Sequence, residues 1–459
     1  MAGTVLTRTQ YSTGKKALYI LLGALMTGAM WRARGSHGWG SEWGVFTCGL
    51  LLMLFIYAVF GRKRNASFLH IVAAALSCML TTPAWGTLLN QTSGYITENA
   101  TGETFPCNPL SGVFIMLCLG LGMMPLFMFL LSRLFSDRKY SLKDYLIVVG
   151  VYFAVVYICN ATVSHLIIKL VQPESIAAIE SGLKMQGIDS SVYSFYMEHF
   201  SAINSAKKII FGRNYFTEVS VISRALAAAV LALVLRIFFK DKTGARVTFY
   251  CSACFAVGIT VANVFFILGN SDLAHKHPWL YNSWNFWEFF TGFFAALLIM
   301  VVLFVIDKST SDEDYRDVLI PKVPSIVEDI FLAVVSVGVG LGLSTTRMLA
   351  RRLDASDTLS LIIWISGSLI TLSFIILMLT GKLPKLWRKP AVSISRWLCP
   401  LLFALHMTVY FFVGYGEYKA AVFEWSAVQG TTAVAAVLFF IGYASVHFLN
   451  KNSDKEKKS

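Results

Sequence analysis

The stretch "WRARGSHGWG", residues 31–40, sets Arg32, Arg34 and His37 among glycines, and Glu42 follows close behind. A guanidinium grips phosphate, sulfate or carboxylate through two parallel hydrogen bonds, and an imidazole beside it adds a hydrogen bond or a proton. Gly35, Gly38, Gly40 and Gly44 let the backbone approach a ligand closely, and Ser41 is placed to cap a following helix whose free N–H groups also favour an anion. Glu42 either neutralises one of the arginines or exchanges a proton beside them. A plainer reading stands next to this one: Trp31, Trp39 and Trp43 form an interfacial aromatic belt while the arginines snorkel to lipid headgroups.

A second basic group, Arg347 and Arg351 in "STTRMLARRLDASD", shares one face if its helix continues, with Asp354 and Asp357 at hand for local ion pairs. His165, Lys169, Arg224 and Glu288 complete a set of ionisable residues near the same end of their apolar segments, and His406 stands alone at mid-segment beside the uncharged Asn160 and Asn263. Ionisable groups in such segments face either a water-filled cavity or the headgroups. No group of residues has the spacing of a metal site, and no cofactor motif is found. Cys251 and Cys254 form a lone C-x-x-C inside an apolar run, which reads as packing.

The elements that must position these residues are transmembrane helices. Hydrophobic residues make up 56% of the chain and charged residues 14%, far from the composition of soluble proteins. Twelve apolar segments are expected, at 17–33, 41–60, 66–90, 110–134, 145–170, 219–239, 247–269, 285–306, 326–346, 358–380, 397–414 and 428–449. They lack the alternation of barrel strands, so the fold class is an all-α polytopic bundle. A helix rising from Lys16 reaches Arg32 after about 24 Å, short of a hydrocarbon core of about 30 Å. An arginine left in hydrocarbon costs about 2.5–3.5 kcal/mol or more, so Arg32 must snorkel, thin the bilayer or face a polar cavity.

Lys and Arg fix the orientation. Basic clusters at 62–64, 133–143, 236–246 and 382–396 alternate with the loop at 90–109, which holds no Lys or Arg, so both termini are expected in the cytoplasm. Arg32, Arg34, Arg347 and Arg351 fall on the side that this rule keeps poor in bases. The net charge of +13 is a topology signal with attraction to anionic lipid, and nucleic acid is not an expected partner. The organisation read from these patterns is a cytoplasmic segment 1–16, a first helical half 17–239 with an outer amphipathic loop at 172–217, a linker 240–246, a second half 247–449 and a basic tail 450–459.

"WGVFTCG" from Trp43 and "WEFFTGF" from Trp287 share Trp, Phe and Thr at an offset of 244, a trace of a six-plus-six parallel repeat. That count is similar to the major facilitator superfamily, and "FGRKRN" at 60–65 resembles the basic tail of its loop motif, which implies a solute transporter. The glycine and aspartate of that motif are missing from 56–60, and the long loop follows the fifth segment rather than the sixth. The pair His37-Gly38 is similar to one in membrane lipid transferases, which implies a lipid-linked substrate. Neither match assigns a family.

The expectation is a secondary transporter of a small anionic or polar solute in the plasma (cytoplasmic) membrane, with an outward vestibule lined by Arg32, Arg34, His37, Glu42, Arg224, Glu288, Arg347, Arg351 and His406. The alternative is a membrane-embedded transferase or hydrolase acting at the outer face on an anionic or lipid-linked substrate. The partners are the bilayer and a small anionic solute or lipid headgroup; oligomeric state is not legible.

Overall fold

Apolar runs punctuated by proline, glycine and charge dictate the element order. The computed structural model describes residues 11–36, 42–61, 68–82, 88–97, 102–136, 138–199, 213–309, 375–382, 391–417 and 427–446, with isolated helical positions between 326 and 373. The helices are α1 (Thr13–Ser36), α2 (Glu42–Phe60), α3 (Phe68–Thr81), α4 (Pro109–Met123), α5 (Pro125–Ser132), α6 (Leu142–Ala161), α7 (Val163–Val171), α8 (Pro173–Met185) and α9 (Val192–His199). They continue with α10 (Arg213–Ile237), α11 (Lys242–Ala262), α12 (Val264–Gly269), α13 (Asp272–Lys276), α14 (Ser283–Ser309), α15 (Ala391–Glu417) and α16 (Ala427–Ala444). Between α3 and α4 a 3₁₀ turn, Leu89–Ser93, leads into a small antiparallel hairpin, Tyr95–Thr97 with Thr104–Pro106.

Among the described residues, four helical stretches are long and apolar enough to cross a membrane: Leu142–Ala161, Tyr215–Ile237, Lys242–Gly269 and Pro278–Asp307. The bent pair α4 and α5 makes a fifth when counted as one span. The surface agrees with a lipid environment. On α6, Val148, Tyr152, Val156 and Cys159 form the buried stripe, while Leu146, Val149, Phe153, Tyr157 and Ile158 stay exposed, so the helix is apolar all round rather than amphipathic. This is an all-α integral membrane protein.

Several expected segments are interrupted, each for a local reason. The segment expected at 110–134 bends by 46° between α4 and α5. Pro125 has no N–H to give and disfavours helical backbone at Met124, whose φ is −130°. The carbonyls freed there are satisfied by side chains: Tyr152 donates to Gly122 O at 3.2 Å and Thr81 to Met123 O at 2.5 Å. The segment expected at 145–170 breaks at Thr162, and that at 247–269 breaks at Asn263. The segment expected at 66–90 ends as a helix at Thr81. Within the long loop at 172–217, the expected short helices are present as α8 and α9.

Contacts divide the chain into two compact units, Met1–Met79 with Leu130–Tyr145 and Leu303–Ser459, and Leu80–Phe129 with Leu146–Val302. In the first unit α1 packs along α16 and α2 along α15. Gly442 leaves room there for Leu22, whose Cδ2 would stand 2.5 Å from an added Cβ. In the second unit α4 lies against both α10 and α11. Small residues set the approach: a Cβ on Gly122 would lie 2.6 Å from Arg224 Cβ, and one on Gly258 would lie 2.5 Å from Ala295 N.

Candidate functional site

In the first unit, α1 carries Arg32 and Arg34 through its last turns. Both guanidinium-bearing side chains are 1% exposed, as is Trp31 beside them. The i,i+3 spacing lays Arg34 over the Trp31 ring, with Cζ 4.3 Å from the ring centroid. Arg32 approaches the Tyr410 ring of α15 at 5.9 Å. His406 lies one turn before Tyr410 on α15 and is buried, so the helical repeat puts both on the face that α15 turns toward α1. The structure thereby brings Arg32, Arg34 and the α15 face of His406 into one unit. A helix C-terminus favours positive charge, which accounts for the sign of these side chains. It does not account for the burial of two of them.

His37, Arg347 and Arg351 lie outside the described residues, as does the side chain of Glu42 at the start of α2. The expected meeting of the two arginine groups therefore also lies outside them.

Arg224 and Glu288 belong to the second unit. Arg224 on α10 is engaged by backbone: Nη1 donates to Thr81 O at 2.7 Å and Leu80 O at 3.5 Å, and Nε donates to Ser220 Oγ at 3.3 Å. These are the last carbonyls of α3, where a helix lacks internal donors and concentrates negative potential. Glu288 on α14 is 1% exposed, between the buried Trp287 and Thr291. His165 is held by Tyr215 Oη at 2.6 Å and Asn160 O at 2.7 Å, within ring contact of Tyr193 and Tyr196. It is a fully used core residue.

The second unit also contains a polar network that sequence reasoning missed. Gln91 Nε2 donates to Glu218 Oε1 at 2.5 Å, and Ser175 Oγ donates to the same oxygen at 2.7 Å. Gln172 Nε2 donates to Gln91 Oε1 at 3.2 Å, and the Cys107 thiol reaches Gln91 O at 3.5 Å. Glu218, Gln91, Gln172 and Ser175 are each at most 1% exposed. The backbone is shaped for this: Gly94 closes the 3₁₀ turn at φ 89°, and Gly112 of α4 packs directly on the Gln91 peptide. Asn263, freed at the break between α11 and α12, donates to Leu89 O at 3.0 Å and to Thr92 Oγ1, so the broken span anchors the same turn. Burial foremost raises the Cys107 thiol to about 11; the Gln172 hydrogen bond opposes this, and the Glu174 and Glu218 carboxylates add to it. The available signals were Gln91 in a loop without bases and Glu218 just ahead of an apolar run, both too short-range to show that they meet.

No protein-family model, curated protein or solved structure matches this chain.

Proposed function

We propose that this membrane protein is a secondary transporter of a small anionic or polar solute, and that Arg32 and Arg34 contact the anion. The reading includes about twelve spans in a six-plus-six arrangement, both termini in the cytoplasm and residence in the plasma membrane, with His37, Glu42, Arg347, Arg351 and His406 lining the same vestibule. One observation carries it: two arginines, each 1% exposed, stand in the last turns of a helix of a protein otherwise built of apolar spans. Ionisable groups held in such surroundings belong by default to a substrate path. Stacking on Trp31 and the nearness of Tyr410 suit a planar guanidinium, whose flat face rests on an aromatic ring and whose fork matches an oxyanion's geometry.

The test compares purified wild type, Arg32→Lys and Arg32→Leu for thermal stabilisation by phosphate, sulfate, carboxylates and short-chain phospholipid, followed by flux of the stabilising anion in proteoliposomes. An anion that binds the native state raises apparent stability. The expected result is stabilisation and flux in wild type, both lost in Arg32→Lys although charge is kept. Equal stabilisation of wild type and Arg32→Lys overturns the anion contact. Stabilisation by the phospholipid alone, without flux, moves the protein to the transferase or hydrolase class.

A further inference from the structure

The network around Gln91 has a property that its own hydrogen bonds leave unexplained. Glu218 Oε1 accepts two donors while Glu218 Oε2, equally buried, accepts none among the described residues. Gln172 repeats the pattern: its Nε2 is spent on Gln91, and its buried Oε1 has no donor. Glu174 Oε2, one residue from the Ser175 that bonds Glu218, is a third such oxygen. Among the described residues neither carboxyl has an ion-pair partner. All three are acceptors: two sit on hydrogen-bonded members of the network, Glu218 and Gln172, and the third on Glu174, next to Ser175 in the chain.

Buried acceptors without donors are destabilising by about 1–3 kcal/mol each, more when charged. A proton shared between two of these oxygens leaves the third without a donor. A hard cation lying between them would relieve all three at once and offset two carboxylates, and it takes the ligands found here, carboxylate and amide oxygens. From this juxtaposition we infer that Glu218, Glu174 and Gln172 form a binding site for a hard, oxygen-ligated cation. The inference goes beyond the anion-transport reading and does not depend on it, since none of these residues is among the arginine group.

The experiment uses the full-length purified protein at fixed pH and ionic strength, with choline chloride replaced stepwise by NaCl, KCl or CaCl₂ while the unfolding temperature is followed. The expected result is a saturable rise for at least one cation that choline does not reproduce. Glu218→Gln, which keeps the shape and an acceptor for Gln91 and Ser175, is expected to abolish that rise. Glu174→Gln, at a partly exposed position, is expected to raise the half-saturating concentration about tenfold, equal to about 1.4 kcal/mol. Stabilisation by sulfate or phosphate through Arg32 is expected to survive in both variants, so the two readings fail separately. Absence of a cation-specific rise in wild type, an undiminished rise in Glu218→Gln, or a stability that follows pH with no dependence on the cation each overturn the site.

Discussion

Arg224 donates to the carbonyl of Thr81 at 2.7 Å across 143 positions of sequence, and so closes the end of α3 with a side chain from α10. A charge that sequence pattern marks as a vestibule group thereby acts on a helix terminus. The base of the same side chain stands where Gly122 admits α10 against α4.

Arg224→Leu removes the donors while keeping bulk, and leaves the Thr81 and Leu80 carbonyls unmatched. Hydrogen bonds from a charged group contribute about 1.5–3 kcal/mol, so a loss of that size is expected. Denaturant or thermal unfolding in detergent reads it. Arg224→Lys, a point donor without the fork, should recover only part. Unchanged stability in Arg224→Leu would show that these bonds do not hold the end of α3 and would favour the expected ligand contact.

Cys107 gives a pH-dependent readout at the hairpin. With its thiol raised to about 11, the native state keeps the proton at pH values where an unfolded chain has begun to release it. Stability from this group is therefore full at neutral pH and declines as pH rises from about 9 toward 11. Alkylation follows the same curve: at pH 8 the thiolate is about 100-fold scarcer than for a thiol at 9, so maleimide labelling of Cys107 should be slow and accelerate through pH 10. Glu174→Gln removes one of the charges that holds the thiol up and should move the labelling curve toward lower pH. Rapid labelling at pH 7 in the native protein would contradict the described burial.

Topology is tested by single cysteines in an otherwise cysteine-free background. A cysteine at Gly102, in the hairpin connection, should be labelled by an impermeant reagent from outside intact cells; one at Lys240, between α10 and α11, only after permeabilisation. Labelling of both from the same side would remove the outward vestibule from the functional reading.

Sequence by itself determined that the chain is helical and lives in a membrane, because burial in hydrocarbon acts on composition and on the length of apolar runs, both local quantities. It also determined helix-bearing character in the long loop at 172–217, where the apolar spacing of α8 is visible in "ESIAAIESGLKM". Breaks at Thr162 and Asn263 escaped it: hydropathy is continuous across them, and at the second the Asn263 side chain bonds Leu89, a partner far along the chain. His165, singled out by its charge, became a core residue because Tyr215 and the Asn160 carbonyl took both of its nitrogens. The joining of Gln91 to Glu218, 127 positions apart, was decided only by tertiary structure. A polar side chain in an apolar protein must find its partner wherever packing brings one, and that choice leaves no periodic trace in the sequence.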